Sequence, residues 1–213
     1  MDFSSLLNSD FGRYGLVFLS YLIGSIPFGL VIGKLKGVDV RQAGSKNIGA
    51  TNVTRQLGKG LGILTLLGDT SKGLLPMLAV STLLRGRADV ELWVVLSGGA
   101  AFLGHLYPLY LGFKGGKGVA TALGVFFYLN PLAALIDILI FVGVVYNWGF
   151  VSLGSLTAAL MMPGLIWLLT ASFPYTCLAA LIGIMIWVKH HENIGRLKRG
   201  EEKSWRKNDG NRK

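Results

Sequence analysis

The sequence predicts an all-α membrane protein that crosses the bilayer seven times. Hydrophobic residues make up 52% of the 213 residues and charged residues only 15%, and the mean hydropathy is +0.53. Several apolar stretches reach or approach the roughly 20 residues that a helix needs to span a hydrocarbon core. The lysines and arginines lie between or after these stretches, which is typical of membrane topology. The net charge of +10 is therefore no indication of a nucleic-acid partner.

We predict the spanning segments by following the apolar runs along the chain. The fourth is short, and Pro27 is expected to kink the first. Asn130-Pro131 is expected to give a turn and a helix restart. The segments are Leu16–Gly33, Leu61–Leu84, Val90–Leu111, Val119–Leu129, Pro131–Asn147, Phe150–Thr170 and Pro174–Val188. We expect residues 1–213 to form one integral-membrane domain, with a polar, basic tail over residues 189–213.

The distribution of cations predicts the orientation of the chain. Seven spans place the two termini on opposite sides of the membrane. Of the 21 lysines and arginines, 3 fall on the side of the N-terminus, 17 fall on the other side, and Lys72 lies within a span. The positive-inside rule therefore predicts an N-terminus outside and a C-terminus in the cytoplasm. Every polar stretch of interest then faces the cytoplasm, as one shared active site requires.

Composition also argues against metal and disulfide chemistry. The single cysteine, Cys177, lies in an apolar stretch, so no disulfide framework is expected. The three histidines form no HExxH motif, and no CxxC motif occurs, so we expect no metal and no cofactor. Asp2 and Asp10 beside a lone Arg13 carry the wrong charge for a cleavable signal peptide, so we expect the first apolar segment to be retained.

The first connection contains a run of small polar residues, 44–52, followed by Arg55. Its GxxxxG spacing is that of a P-loop, but Ala50 stands where such a loop needs lysine, so ATP or GTP hydrolysis is not indicated. The hydroxyls and amides could merely cap helices and close turns. Arg55 favours a phosphate site instead, because a guanidinium binds phosphate oxygens two at a time.

A second polar stretch is the run Lys114-Gly115-Gly116-Lys117-Gly118, between two apolar segments. Glycines let the backbone bend sharply and expose its N–H groups, while the lysines supply positive charge. Such a turn suits a phosphate. The alternative is a basic turn that meets only anionic lipid headgroups.

The third polar stretch opens the tail. On a continuing helix, His190 and Asn193 would share one face, whereas His191 and Glu192 would point elsewhere. The alternative is an ordinary helix end whose long side chains reach towards the membrane surface. The functional interpretation is favoured because this stretch emerges on the same predicted side as the other two.

Charged and polar residues also occur within the spans. Asp69 and Lys72 lie three positions apart, so they can pair on one helical face and support the loops. Each charge placed at a helix centre would cost roughly 2.5–3.5 kcal/mol on insertion scales. Because of that cost, two charges at this spacing are not expected to occur by chance. His105 is interpreted as a hydrogen-bonded support residue, and Asp137 has no evident partner.

Together these stretches resemble the bacterial acyl-phosphate:glycerol-3-phosphate acyltransferases, the PlsY family. The resemblance runs from Gly24-Ser25-Ile26-Pro27 to Arg196-Leu197. The three motifs that carry it are Gly44-Ser45 with Asn47, Gly49-Ala50-Thr51-Asn52 and Arg55; Gly112 to Thr121; and His190 with Glu192-Asn193-Ile194. Asp69-x-x-Lys72-Gly73, Gly104-His105-x-Tyr107-Pro108 and Ser152 also match. Lys46 departs from the pattern, because that position is usually glycine.

The resemblance implies an enzyme of the bacterial inner membrane whose active site faces the cytoplasm. It would transfer a fatty acyl group from acyl phosphate to the 1-hydroxyl of glycerol 3-phosphate, giving lysophosphatidic acid for phospholipid synthesis. We expect a monomer among membrane lipids, near the enzyme that makes acyl phosphate.

The resemblance also assigns roles to residues. The catalytic set is Ser45, Arg55, Lys117, His190 and Asn193. The set expected to bind substrate or phosphate is Asn47, Thr51, Asn52, Lys114, Gly115, Gly116, Gly118 and Ser152, and the supporting set is Asp69, Lys72, His105 and Glu192.

The expected mechanism needs no protein nucleophile, because acyl phosphate is already activated. His190 is either the base that takes the hydroxyl proton or a clamp on phosphate, in which case a substrate phosphate takes the proton. Ser45 as an acyl-enzyme nucleophile is disfavoured, because neither His190 nor His191 is close to it in sequence. The acyl chain is expected to lie between helices, facing lipid.

Two other functions are weighed against this one. A transporter for a small organophosphate would also want basic loops, but it predicts broken segments in two related halves, and the chain has no internal repeat. An acyltransferase that uses thioester donors lacks support, since no histidine is followed by the aspartate of an HxxxxD motif.

Overall fold

The computed structural model describes Leu7 and residues 9–206, and the regular structure in this part of the chain is entirely helical. The chain up to Leu129 forms one compact unit, and the chain from Asn130 onward forms a second. The first unit contains α1 (Asp10–Gly24), α2 (Phe28–Leu35), α3 (Ala50–Leu57), α4 (Lys59–Leu83), α5 (Val90–Leu106), a short 3-10 turn (Leu109–Leu111) and α6 (Val119–Leu129). The second contains α7 (Pro131–Trp148), α8 (Val151–Thr170), α9 (Phe173–Lys189) and α10 (His191–Lys198).

Local sequence signals set several helix ends. The Ser9 hydroxyl accepts the N–H of Gly12 at 3.1 Å and caps α1. Asn130 caps α7 in the same way, and Pro131 follows at the first helical position, where its missing N–H is harmless. The predicted restart at Asn130-Pro131 is thus confirmed. At the other end of α7, Gly149 adopts a left-handed conformation with φ of +81°.

The helix lengths support fewer spans than the sequence predicted. Among the described residues, five helical stretches are long and apolar enough to cross a membrane, and α9 with α10 makes a sixth if that bent pair counts as one span. Helix α6 has 11 residues, or about 16 Å at 1.5 Å per residue, short of a hydrocarbon core of about 30 Å. Seven spans, the orientation of the termini and the single domain stay predictions. Residues 207–213 of the predicted tail lie outside the described part of the chain.

The first span is interrupted at Pro27, where a kink was expected. Helix α1 ends at Gly24 and α2 begins at Phe28, with Pro27 at its N-cap position. Because proline cannot donate the hydrogen bond that a continuous helix would need, the chain stops and restarts within the span. The break leaves the Ile26 carbonyl open to a partner from another helix.

The helices of the first unit pack closely through small residues. A Cβ atom on Gly124 of α6 would overlap the Thr70 carbonyl of α4, and one on Gly73 would overlap the Thr121 carbonyl in return. Helices α1 and α5 meet in the same manner through Gly24 and Gly104. Such contacts let the helix backbones approach closely. Within a bilayer the hydrophobic effect does not drive helices together, so close packing must hold them.

The second unit is a packed set of three long helices with a bent end. Helix α8 packs against both α7 and α9. The Trp187 indole N–H donates to the Leu156 carbonyl at 3.1 Å, fastening the end of α9 to α8. The chain then bends by 58° between α9 and α10.

Candidate active site

The loop before α3 is organised by Asn52, whose side chain is 1% exposed. Its Nδ2 lies 2.9, 3.1 and 2.9 Å from the carbonyl oxygens of Val40, Ala43 and Asn47. Its Oδ1 accepts the N–H of Ser45 at 2.9 Å. Both polar atoms of the amide are engaged by the loop backbone. Asn52 was expected to bind substrate, but this geometry makes it the residue that holds the loop.

Two further residues of this loop serve its shape. The Asn47 Oδ1 accepts the N–H of Gly49 at 2.8 Å, closing the turn that leads into α3. Lys46 has a φ of +59°, the left-handed region that favours glycine. The departure noted at this position therefore carries conformational strain, which costs roughly 1–2 kcal/mol for a residue with a Cβ atom.

The remaining predicted residues of the first motif face outward. Ser45, Thr51 and Arg55 are all exposed, the first in the loop and the other two on α3. Arg55 lies in the last turn of that helix. Their exposure leaves them accessible, and their expected contact with substrate stays a prediction.

The glycine turn has a structure different from the one expected. The N–H groups of Gly115 and Gly116 donate to the Leu106 and His105 carbonyls at 3.2 and 3.0 Å. The N–H of Lys114 donates to the Leu111 carbonyl at 3.3 Å. The expectation that these backbone N–H groups are exposed for a phosphate is therefore wrong. The close packing of the turn against neighbouring residues explains the glycines instead.

The glycines are required because the turn packs against the end of α5. A Cβ atom on Gly115 would overlap the His105 carbonyl, and one on Gly116 would overlap the His105 ring. Gly118 has a φ of +86°, and a Cβ there would overlap the Phe102 ring. Close approach, together with this one left-handed residue, accounts for the glycine-rich sequence.

The lysines of the turn keep their predicted role as sources of positive charge. Lys114 is exposed and Lys117 is half-buried. Lys117 lies two residues before Val119, where α6 begins. The N-terminal end of a helix carries partial positive charge that adds to that of a nearby cation. The turn thus offers an electropositive surface.

The buried pair predicted beneath the loops is confirmed. Lys72 Nζ lies 2.9 Å from Asp69 Oδ1, and both side chains are 2% exposed. His105 Nδ1 lies 3.7 Å from the same oxygen. Lys72 also donates to the Ile26 carbonyl at 2.8 Å, at the break between α1 and α2. Because His105 touches Gly116, the network connects the broken span to the glycine turn.

In the second unit, His190 stands at the bend between α9 and α10. Its Nδ1 lies 2.8 Å from the Ile186 carbonyl. A carbonyl can only accept, so Nδ1 carries the hydrogen of this bond. The expectation of a continuing helix through this residue is wrong. The burial pattern nevertheless agrees with the prediction: His190 and Asn193 are 3% and 7% exposed, while His191 and Glu192 are exposed.

The predicted support residue Glu192 makes only a weak contact. Its carboxylate lies 3.8 Å from Nη1 of Arg196, and its side chain is 67% exposed. Solvent screens such a pair, which is worth little.

Glu202 is the site residue that sequence reasoning missed. Its Oε1 accepts from Ser152 Oγ at 2.7 Å and from Asn193 Nδ2 at 2.6 Å, and its Oε2 accepts from Arg196 Nε at 2.6 Å. Burial acts to raise the pKa of this carboxyl, but the three hydrogen bonds outweigh it and hold the pKa below its ordinary value. The structure thus brings Ser152 and Asn193 to one carboxylate. The only signal in the sequence was an acidic residue within a basic tail.

Each unit therefore combines apolar spanning helices with a polar cluster at helix ends. The first unit presents cations on a loop and a turn, and the second holds a buried histidine with an asparagine. Apolar helices of spanning length are typical of an integral-membrane protein, and the exposed cations of the first unit suit an anionic ligand.

Comparison with known proteins identifies the family. The family model described as glycerol-3-phosphate acyltransferase matches residues 14–200. A glycerol-3-phosphate acyltransferase of Desulfotalea psychrophila is 56% identical over 89% of this chain and 96% of its own length. One from Aquifex aeolicus is 47% identical over 88% of this chain and 96% of its own length. The chain belongs to the glycerol-3-phosphate acyltransferase family.

Solved structures agree with this assignment. The fold is similar to the crystal structure of PlsY (YgiH), an integral membrane glycerol 3-phosphate acyltransferase, in its glycerol 3-phosphate form. The TM-score is 0.84 at 44% identity, covering 90% of this chain and 94% of that one. The lysophosphatidic acid form gives a TM-score of 0.83 at 43% identity, with the same coverage. The chain is thus an integral-membrane acyltransferase of lipid biosynthesis.

Proposed function

We propose that this enzyme transfers a fatty acyl group from acyl phosphate to the 1-hydroxyl of glycerol 3-phosphate, giving lysophosphatidic acid. The observation that carries the proposal is the likeness, over 90% of the chain, to a structure with a glycerol 3-phosphate form and a lysophosphatidic acid form. One is the acceptor of the proposed reaction and the other is its product.

The choice of acyl phosphate as donor rests on charge and on the resemblance of the three motifs. Both substrates carry a phosphate, so the enzyme must neutralise two anions. Arg55 and Lys114 are exposed cations, and Lys117 adds a third close to the start of α6. The described histidines have no HxxxxD partner, which argues against a thioester donor of the usual kind.

The reaction requires one bond to form and one to break. The glycerol hydroxyl oxygen attacks the acyl carbonyl carbon, the bond from that carbon to the phosphate oxygen breaks, and phosphate leaves with the electron pair. The hydroxyl proton passes to an acceptor. Since the donor is already activated, the main task is to position the two substrates, which can supply ~7–11 kcal/mol in favourable cases.

His190 is the candidate for either of two tasks. With its Nδ1 hydrogen given to the Ile186 carbonyl, a neutral His190 ring has its accepting nitrogen at Nε2, as a general base requires. A clamp on phosphate would instead need a protonated phosphate oxygen or a charged ring. A substrate phosphate, with a second pKa near ~6, could then take the hydroxyl proton.

The His190→Asn variant separates these two tasks. If His190 is the base, kcat should fall by ~10²–10⁴ and the acidic limb of the pH–rate profile should disappear. If it is a clamp, substantial kcat and the acidic limb should remain, because that limb then belongs to the phosphate. The exposed His191 provides the control, and His191→Asn should change neither quantity.

Donor choice tests the function itself. Purified enzyme is given glycerol 3-phosphate with acyl phosphate, acyl-CoA or acyl carrier protein, and lysophosphatidic acid is measured. We expect product from acyl phosphate alone. Equal rates with acyl-CoA would contradict the donor assignment, and uptake of organophosphate into sealed vesicles without acylation would favour the transporter.

The same proposal includes seven spans in the bacterial inner membrane, with the N-terminus outside and the active site facing the cytoplasm. In a Cys177→Ser background, single cysteines at Lys36 and Lys203 should be shielded from an impermeant thiol reagent in intact cells. A cysteine at Arg85 should react. Labelling of Lys36→Cys from outside would overturn this orientation.

A further inference from the structure

A groove of about 410 Å³ lies in the first unit, beside the break in the first span. Its volume falls within the roughly 300–1,000 Å³ that ligand pockets occupy. One wall comes from α2 and the residues before it, and the other from the 3-10 turn that follows α5. The groove is apolar except for one cation and one phenol, and its lining includes Pro27, Leu30, Val31, Leu111, Lys34 and Tyr110. The residues assigned above to catalysis, binding or support do not line it.

The groove has a fixed floor and an exposed side. Leu30 is 4% exposed, and it belongs to a buried apolar cluster against which Leu111 also packs. Val31, the next residue along α2, is 45% exposed. Pro27, Val31 and Lys34 follow one another at spacings of four and three, so they lie along one face of the chain. Packing therefore sets the shape of the groove and leaves this face open.

The position of the groove within the spans decides what each end of it meets. The first candidate span ends at Leu35, and the span formed by α5 with its turn ends at Leu111. Lys34 and Tyr110 each stand one residue before such an end, which places them near a membrane surface. Pro27 lies seven residues before Lys34, or about 10 Å deeper at 1.5 Å per residue. The apolar part of the groove thus lies among acyl chains, and its cation lies among headgroups.

Lys34 carries a charge that no other side chain in the described part of the chain neutralises. Asp39 is near enough to feel this charge, but its carboxylate is bound by Arg41 at 2.7 Å instead. Tyr110 is 55% exposed, and its hydroxyl makes no hydrogen bond with the residues that the structure describes. An ammonium and a phenol hydroxyl both donate hydrogen bonds, as a phosphate oxygen requires.

We propose that this groove binds an anionic phospholipid of the surrounding bilayer. The lipid phosphate lies at Lys34 and Tyr110, and one acyl chain follows Pro27 and Val31. A free phosphate would leave the apolar wall uncovered, and a zwitterionic lipid would bring a cation of its own towards Lys34. The inference goes beyond the proposed function, because this lipid is neither substrate nor product. By bridging α2 and the turn after α5, it stabilises the first unit.

Lipid titration of the purified protein in a neutral detergent tests the proposal. The probes are dioleoyl phosphatidylglycerol and phosphatidylcholine with the same chains, and both Tm and the bound lipid retained in native mass spectrometry are measured. Because a ligand of the native state raises stability, phosphatidylglycerol should raise Tm at a lower concentration than phosphatidylcholine does. Lys34→Gln should weaken phosphatidylglycerol binding roughly fivefold, as expected for loss of one cation at a membrane surface. The matched control is Lys36→Gln, because Lys36 is exposed at the end of the same helix and does not line the groove.

A second variant tests the apolar part of the groove independently of charge. Val31→Trp places a large side chain in the groove and should remove the rise in Tm that phosphatidylglycerol brings. Leu35→Trp is its control, because Leu35 lies on the same helix, is 80% exposed and does not line the groove. This control should respond to phosphatidylglycerol as the wild type does.

Several outcomes would overturn the inference. Lys34→Gln that binds phosphatidylglycerol as well as Lys36→Gln does would overturn it, and so would equal binding of the two lipids by the wild type. If inorganic phosphate raises Tm as much as phosphatidylglycerol does, the groove is a site for phosphate alone. If lysophosphatidic acid binds there and phosphatidylglycerol does not, the groove belongs to the product. Glycerol 3-phosphate and acyl phosphate are absent from these titrations, so any of these failures leaves the proposed acyltransferase reaction to its own test.

Discussion

Removal of the Lys72 ammonium should destabilise the first unit strongly. Lys72→Met keeps the length of the side chain but leaves the Asp69 carboxylate, 2% exposed, without the cation now 2.9 Å away. It also removes the hydrogen bond to the Ile26 carbonyl. Breaking a buried pair from one side costs about 3–5 kcal/mol. At ~2–4 °C per kcal/mol for a chain of this size, Tm should fall by ~6–20 °C.

Thermal unfolding of the purified protein in detergent measures this effect. The control is Lys59→Met, because Lys59 is an exposed residue at the start of the same helix. A double variant, Asp69→Asn with Lys72→Met, removes both charges and should recover much of the lost stability. If Lys72→Met unfolds at the same temperature as Lys59→Met, the buried pair does not support the loops and the reasoning fails.

Three further predictions concern the turn, the loop and the C-terminal segment. Gly116→Ala should lower kcat/KM and cost ~1–3 kcal/mol, because the new methyl group would overlap the His105 ring. Lys46→Gly should gain about 1 kcal/mol and keep activity, since relief of ~1–2 kcal/mol of left-handed strain exceeds the ~0.5–1 kcal/mol entropic cost of glycine. The folded pKa of Glu202 is held below its ordinary value of 4.5, so its contribution is present above that pH and is lost as pH falls through the folded pKa. The difference in Tm between wild type and Glu202→Gln should therefore shrink in acid.

The first two of these predictions have a matched control variant, and the third has an outcome that would contradict it. Gly60→Ala places a methyl group in open space on α4 and should be harmless, so equal losses in both alanine variants would refute the steric argument. Lys36→Gly changes a residue with a φ of −105° and should bring no gain. For the pH prediction, a Tm difference that stays constant down to strongly acidic pH would contradict an ionised Glu202.

Features that depend on neighbours in sequence could be predicted. The apolar runs indicated the long helices, and Asn130 followed by Pro131 indicated a helix start, since capping involves residues only three apart. The pairing of Asp69 with Lys72 was predictable for the same reason, because three positions on a helix bring two side chains to one face. The motif residues also led to the correct family.

Features that depend on how distant segments meet could not be predicted. Asn52 bonds to residues 5 to 12 positions away, around a loop whose path has no periodicity. The glycines at 115 and 116 fit against His105, so the reason for them lies in packing rather than in the turn itself. Glu202 reaches Ser152 across 50 positions. A carboxylate in a basic tail gives no sign of such a partner.

The breaks within spans were also beyond the sequence argument. Pro27 permits either a kinked helix or a stop and restart, and the open Ile26 carbonyl is occupied by Lys72 from another helix. The bend at His190 has no proline or glycine beside it to indicate it.

The central claim is direct transfer of the acyl group from acyl phosphate to glycerol 3-phosphate, and a double-label experiment tests it most directly. Purified enzyme receives acyl phosphate labelled in its acyl carbon and tritium-labelled glycerol 3-phosphate, and released phosphate is counted. We expect both labels in lysophosphatidic acid in equal molar amounts, with one phosphate released per product. Acyl label recovered as free fatty acid, or bound to the protein before glycerol 3-phosphate is added, would contradict it.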